Sequence, residues 1–170
     1  DPSLRAAVIE DARTMTRTFN IAATGLDAVG TSLRFEAQDG VDQVNLLSGE
    51  LARVNLRLAR AADASSDQTA LLDQRDSLLQ QMSGFVDIST TIAADQTVEV
   101  RLGNTLTPTL VTGGTANPLA MALAPAGNGT IAFTLAGNPV TPLAGSLAGK
   151  AQALAKLADV RDGVDAFRRF

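Results

Sequence analysis

Apolar residues recur at three- and four-residue spacing through the first third of the chain. One series runs Val8, Ala12, Met15, Phe19, Ala22, Leu26, Val29, Leu33, and a second runs Val44, Leu47, Leu51, Val54, Leu58, Ala61. That period puts them on one face of a helix and makes the stretch a coiled-coil or bundle seam. Asp1-Pro2 marks its start, an acidic cap followed by proline at the first helical position. Counted in heptads, the step from Leu33 to Val44 carries a four-residue insertion, a stutter, at Asp39-Gly40. Glycine in a helix costs about 1 kcal/mol relative to alanine, so the spacing predicts one long helix with a bend or two helices meeting there. A continuous helix from Leu4 to Ala62 would be about 90 Å long and would need partner helices along its length.

Asp63-Ala64-Ser65-Ser66-Asp67 reads as a short polar turn. A second helix is predicted from about Gln68 to Gly84, with Leu71, Leu72, Leu78, Leu79, Met82 and Phe85 on its apolar side. The short link makes it an antiparallel neighbour of the first, and Gly84 suits its C-terminal end. The period then changes to two. Val86, Ile88 and Ile92 mark one strand face, and Val98, Val100 and Leu102 another after a turn at Ala94-Asp95-Gln96. Leu110-Val111 precedes Gly113-Gly114, and Leu119–Ala124 and Thr130–Leu135 flank the hairpin connection Pro125-Ala126-Gly127-Asn128-Gly129. After a turn at Gly137-Asn138, helix resumes near Ser146, the expected N-cap, and carries Leu147, Leu154, Leu157, Val160, Val164 and Phe167. The expected fold is α+β: an elongated antiparallel bundle of long coiled-coil-like helices, residues 1–85 plus 144–170, with a small β-rich domain, 86–143, inserted between helices.

Charge sharpens that division. Between Val86 and Leu143 only Asp87, Asp95, Glu99 and Arg101 are charged, and five of the six prolines fall there. The whole chain has 170 residues, 14 Lys+Arg against 18 Asp+Glu, and a net charge of −4, which argues against nucleic-acid binding. No apolar run approaches the roughly 20 residues that span a bilayer, so no membrane insertion is expected. Cys, His, Trp and Tyr are all absent. That removes disulfides, thiolate nucleophiles, zinc fingers, imidazole bases and Ser-His-Asp triads. With no Met at Asp1 and no signal peptide, the chain reads as a segment of a longer one.

The remaining chemistry is thin. Asp73 and Asp76, three apart on a helix, could share a cation, but two carboxylates are too few for a dedicated calcium site. A polar helix face, with Arg75 reaching a neighbouring carboxylate, is the simpler reading. Ser146 and Lys150 are four apart, whereas the Ser–Lys dyad of lactamases uses three. Thr112-Gly113-Gly114-Thr115 lacks the Gly-Lys-Ser/Thr of a phosphate loop. No catalytic residue, cofactor or metal site is expected.

The order of elements and one run of residues are more specific. Thr69-Ala70-Leu71-Leu72-Asp73-Gln74-Arg75-Asp76-Ser77-Leu78-Leu79 leads into Val86-Asp87-Ile88-Ser89, and a turn precedes Thr97-Val98-Glu99-Val100. Gly145-Ser146-Leu147-Ala148-Gly149 and Arg161-Asp162 follow on the return to helix. This closely resembles the flagellar hook-associated protein 1 family, the hook–filament junction proteins, as a core segment without the family's terminal coiled-coil regions. The likeness spans nearly the whole chain, though the β region is short for the family. It implies a structural, non-enzymatic protein, exported by the flagellar type III apparatus and located outside the cell in the flagellum. There it would form a ring with its own copies between hook protein and hook-associated protein 3, with an export chaperone acting on a C-terminal region outside this segment. The helical part would pack against neighbouring subunits and the β part would face outward.

Leu71, Leu72, Asp73, Gln74, Arg75 and Asp76 are then a structural motif. Met15, Phe19, Leu26, Leu33, Leu47, Leu51, Val54, Leu58, Leu154, Leu157 and Val164 are the helix-packing seam. The alternatives are a coiled-coil signalling or chemoreceptor-type fragment, which requires helix throughout, and another axial flagellar protein of flagellin or hook-associated protein 3 type. A carboxylate enzyme, the third class, requires Asp73 and Asp76 together in a pocket.

Overall fold

The computed structural model describes residues 1–169. These form three helices and two small antiparallel sheets. Helix α1 spans Pro2–Leu58, 57 residues and about 86 Å, without interruption. Asp1 caps it, its carboxylate accepting the Ser3 amide at 3.0 Å. Of the two outcomes allowed at Asp39-Gly40, the continuous helix is the one observed. Gly40 is buried where α1 meets α3 (Gly145–Arg168), and a Cβ there would lie 2.9 Å from Leu147 Cδ2. The glycine marks a close approach of two helices rather than a break.

Helix α2 spans Ser66–Phe85, capped by Ser65, whose hydroxyl accepts the Gln68 amide. It ends when Val86 adopts extended backbone, one residue beyond the expected Gly84. Strands β1 (Ile88–Ile92), β2 (Val98–Leu102), β3 (Val111–Thr112) and β4 (Thr115–Ala116) form one sheet in that order, and β5 (Leu119–Leu123), β6 (Ile131–Leu135) and β7 (Asn138–Val140) form the other. The registers run Ile88↔Leu102 to Ile92↔Val98 and Leu119↔Leu135 to Leu123↔Ile131. In β2 the alternation is complete, Val98, Val100 and Leu102 pointing inward. In β1 it is not: this is an edge strand and Ile92 is exposed. Strand β7 was not expected, because three residues including Pro139 carry no periodic signal; its edge position tolerates the missing amide.

Ala144, not Ser146, is the N-cap of α3, and no side chain caps that end. The chain enters α3 through Gly145 at φ +87°, packed so closely on Phe85 that Ser146 already lies inside the helix. Both sheets lean on α1, through β3, β4 and β5. One buried cluster therefore runs from Ala37, Val44 and Leu51 on α1 through Met82 and Leu147 to Val100 and Leu135 in the sheets. The strands exclude the all-helical signalling fragment. Among the described residues, no helix is long and apolar enough to cross a membrane.

Candidate functional site

The features that organise this molecule are joints rather than a reaction centre. Two asparagines on α1 hold one sheet each. The Asn55 side-chain amide donates to the carbonyls of Val98 and Gly113, both at 2.9 Å, and its oxygen accepts the Val98 amide at 2.9 Å. Asn45 does the same for the second sheet, donating to the Leu119 carbonyl at 2.8 Å and accepting its amide at 2.9 Å. Each satisfies backbone groups that would otherwise be unpaired against an apolar helix face. Asp87 closes the β region at its root. One carboxylate oxygen accepts the amides of Leu143 and Ala144, and its backbone carbonyl accepts the Gly103 amide.

Sequence reasoning missed Asn45, Asn55 and Asp87 in these roles. A signal existed for Asn55, which follows Leu51 by four and precedes Leu58 by three, so a polar amide occupies a seam position. Asp87 and Asn45 stand beside apolar positions and carry no such mark.

The Leu71–Asp76 motif resolves residue by residue. Leu71, Arg75, Leu78 and Met82 form the buried stripe of α2, while Leu72 is half-buried. Asp73, Gln74 and Asp76 are exposed. Arg75 is thus not on the polar face, as expected, but in the stripe at 7% exposure. Its length carries the guanidinium out to the Gln96 carbonyl at 2.9 Å, and it pairs with Asp76 at 3.0 Å. Gln96 has φ +70°, an unfavourable conformation for a side-chain-bearing residue, and Arg75 holds its carbonyl in place. In the same turn Asp95 accepts the Thr97 hydroxyl and amide, which hold its carboxyl below the usual range. Asp73 and Asp76 do not converge in a pocket, and Asp76 is taken by Arg75. The premise of a carboxylate enzyme is absent.

The seam divides into two parts. Leu47, Leu51, Val54, Leu58 and Leu154 are buried, and Leu26, Leu33, Leu157 and Val164 are half-buried. Phe19 is half-buried and stacks on the exposed Phe167, ring centres 6.0 Å apart. Met15 is 61% exposed, contrary to expectation: α3 reaches its last turns opposite Phe19, and among the described residues no other element covers Met15. A cleft of about 640 Å³ lies between α1, α3 and the 126–129 turn. Three of its charges serve as ties: Arg161 pairs with Asp27, and Arg34 donates to the Gly129 carbonyl at 3.1 Å. Among the described residues, no three acidic side chains gather to hold a metal ion.

Comparison with known proteins agrees with this architecture. Flagellar hook-associated protein 1 of Bacillus subtilis (strain 168) is 31% identical over 88 residues, 52% of this chain and 17% of that protein. The solved flagellar hook junction protein FlgK from Burkholderia pseudomallei superposes with a TM-score of 0.72 at 25% identity, over 91% of this chain and 29% of that one. The chain spans less than a third of the length of either relative. The family model for the flagellar hook-associated protein FlgK helical domain matches residues 1–168, and the chain belongs to that family.

Proposed function

We propose that the protein carrying this chain is a structural component of the bacterial flagellum that joins hook to filament as a ring-forming junction protein. The observation that carries this reading is the match to the hook-associated family over nearly the whole chain, on a fold whose polar groups are spent on joints. The partners on this reading are further copies of the same protein, hook protein on one side and hook-associated protein 3 on the other. An export chaperone acts on a C-terminal region outside this segment, and the assembled protein is extracellular after type III export.

The division into a helical part, residues 1–85 plus 144–170, and an inserted β part, 86–143, fits the same reading. Off-seam apolar residues on α1 (Ile21, Phe35, Leu46 and Leu56) are 47–76% exposed and suit contact between subunits. The β region instead presents Ser, Thr, Asn and Gly, which suits an outward face. Gold-labelled antibody against residues 1–169 should mark a single band at the hook–filament boundary of intact flagella. Labelling along the filament would favour a flagellin-type role, and labelling confined to the cell body would end the flagellar reading.

A further inference from the structure

Seven asparagines lie along the chain, and the backbone amide that follows each one differs. Asn20, Asn45 and Asn55 are inside α1, where the next amide is committed to the helix ladder. Asn117 and Asn138 precede Pro118 and Pro139, which have no amide N–H. The Thr105 amide, after Asn104, donates to the Leu102 carbonyl at 3.0 Å. Asn128 alone precedes a glycine, in the exposed turn between β5 and β6, and the Gly129 amide donates to no group among the described residues. Asp39-Gly40 and Asp162-Gly163 also set a side-chain carbonyl before a glycine, but both pairs are inside helices.

The turn brings the Asn128 side chain against that free amide. Its Oδ1 accepts the Thr130 hydroxyl at 2.6 Å and the Thr130 amide at 3.3 Å. The second bond closes a small ring through the Gly129 peptide unit, which keeps Cγ of Asn128 beside the Gly129 nitrogen. Both donors draw electron density from the side-chain carbonyl and stabilise the oxyanion that forms when Cγ is attacked. Gly129, at φ +81° and without a Cβ, leaves its nitrogen open to approach. From the α1 side, Arg34 holds the Gly129 carbonyl at 3.1 Å and fixes the turn in this form.

We infer that Asn128-Gly129 is a self-modification site, at which the chain's own backbone displaces the side-chain amide of Asn128. The Gly129 nitrogen gives up its proton and attacks Cγ. The bond from that nitrogen to Cγ forms, the bond from Cγ to the side-chain nitrogen breaks, and the latter leaves with the proton as ammonia. A cyclic imide remains. Water then adds to either imide carbonyl and opens the ring, giving aspartate or, where the main chain now runs through the side chain, isoaspartate. Water is the only co-reactant, and nothing is oxidised or reduced. Either product adds a carboxylate to the wall of the cleft that Arg34 and Arg161 line, and isoaspartate lengthens the main chain where Arg34 holds it. The chemistry does not depend on the flagellar reading.

The test holds the full-length protein, folded, in neutral buffer made with heavy-oxygen water and samples it over days. Trypsin releases residues 102–150, and fragmentation in the mass spectrometer locates each amide-to-acid change; heavy oxygen marks those made during the incubation. Asn128 should convert at least about ten-fold faster than any other asparagine of residues 1–170, with isoaspartate among the products. The rate should rise with pH, because the attacking nitrogen must lose its proton. Thr130→Val keeps the branched side chain and removes the hydroxyl. It should slow conversion several-fold in the folded protein and leave the rate in guanidinium-unfolded protein unchanged. Asn128 that stays an amide in the folded protein while converting in guanidinium overturns the inference, because the fold then protects the site. Another asparagine of these residues converting as fast, or folded Thr130→Val converting at the parent rate, overturns it too.

Discussion

Replacing Asn55 by Ala tests whether a single side chain on α1 holds the first sheet. The amide makes three hydrogen bonds of 2.9 Å and is 1% exposed, and Val98, its main partner, is also 1% exposed. Truncation leaves both backbone groups of Val98 facing α1 without a partner, at about 1–3 kcal/mol each. Gly113 is exposed, so water can take over its carbonyl. The expected loss is about 2–6 kcal/mol, a large part of the 5–15 kcal/mol that holds a typical domain. Without Trp or Tyr, urea unfolding is followed by far-UV circular dichroism. Asn45→Ala is the companion variant: Asn45 is half-buried and bonds one residue only, but that residue, Leu119, is 2% exposed, so a loss of about 2–5 kcal/mol is expected there too.

Asn55→Asp separates hydrogen bonding from packing. It keeps the acceptor for Val98 N–H but turns a carboxylate toward two carbonyls, which raises its folded-state pKa above the unfolded value. The folded state then binds the proton more tightly, so stability relative to Asn55→Ala is lowest at neutral pH. It recovers as pH falls through the folded pKa toward about 3.9. Asn55→Ala within about 0.5 kcal/mol of the parent protein, or Asn55→Asp without that recovery, would refute the clamp.

Other sites give sharper contrasts. Gly145→Ala should cost more than about 2 kcal/mol, since φ is +87° and a Cβ would sit 2.5 Å from the Phe85 carbonyl oxygen. Gly40→Ala should stay within about 1 kcal/mol, because the Leu147 side chain can give way and alanine favours the helix; equal losses in urea titrations would contradict the distinction. Arg75→Lys keeps the charge but loses the fork that joins Gln96 and Asp76. It should cost about 1–3 kcal/mol and speed amide exchange in residues 93–97. Asp95 should titrate by NMR below the ordinary carboxylate range, so what it adds to the turn is present above the unfolded value and lost as pH falls through the lower folded one. Thr97→Val removes the larger cause and should move the midpoint upward.

The elements with long, regular patterns are legible in the residue spacing alone. The seam of α1, the β2 alternation and the glycine-centred turn at 125–129 all follow from it. Gly40 is ambiguous because a buried helix crossing and a helix break leave the same residue in the sequence; only the presence of Leu147 opposite decides. Arg75 shows the converse limit. Its charge argues for the outer face, while its 71–75–78–82 spacing argues for the stripe, and a long side chain satisfies both. Ser146 fails as a cap because the helix starts at Gly145, held against Phe85, two residues earlier than polarity suggests. Met15 carries the regular pattern of the seam, yet it is 61% exposed, because spacing does not encode how far along α1 the partner helix reaches. The joints made by Asn45 and Asp87 depend on backbone groups distant in sequence, which no local pattern encodes.

The central claim is the junction role, and deletion of the gene tests it most directly. Electron microscopy of the deletion strain should show cells with hooks of normal form and no filaments, with flagellin in the culture medium and filaments restored by the intact gene. Filaments of normal number and length on the deletion strain would contradict the account.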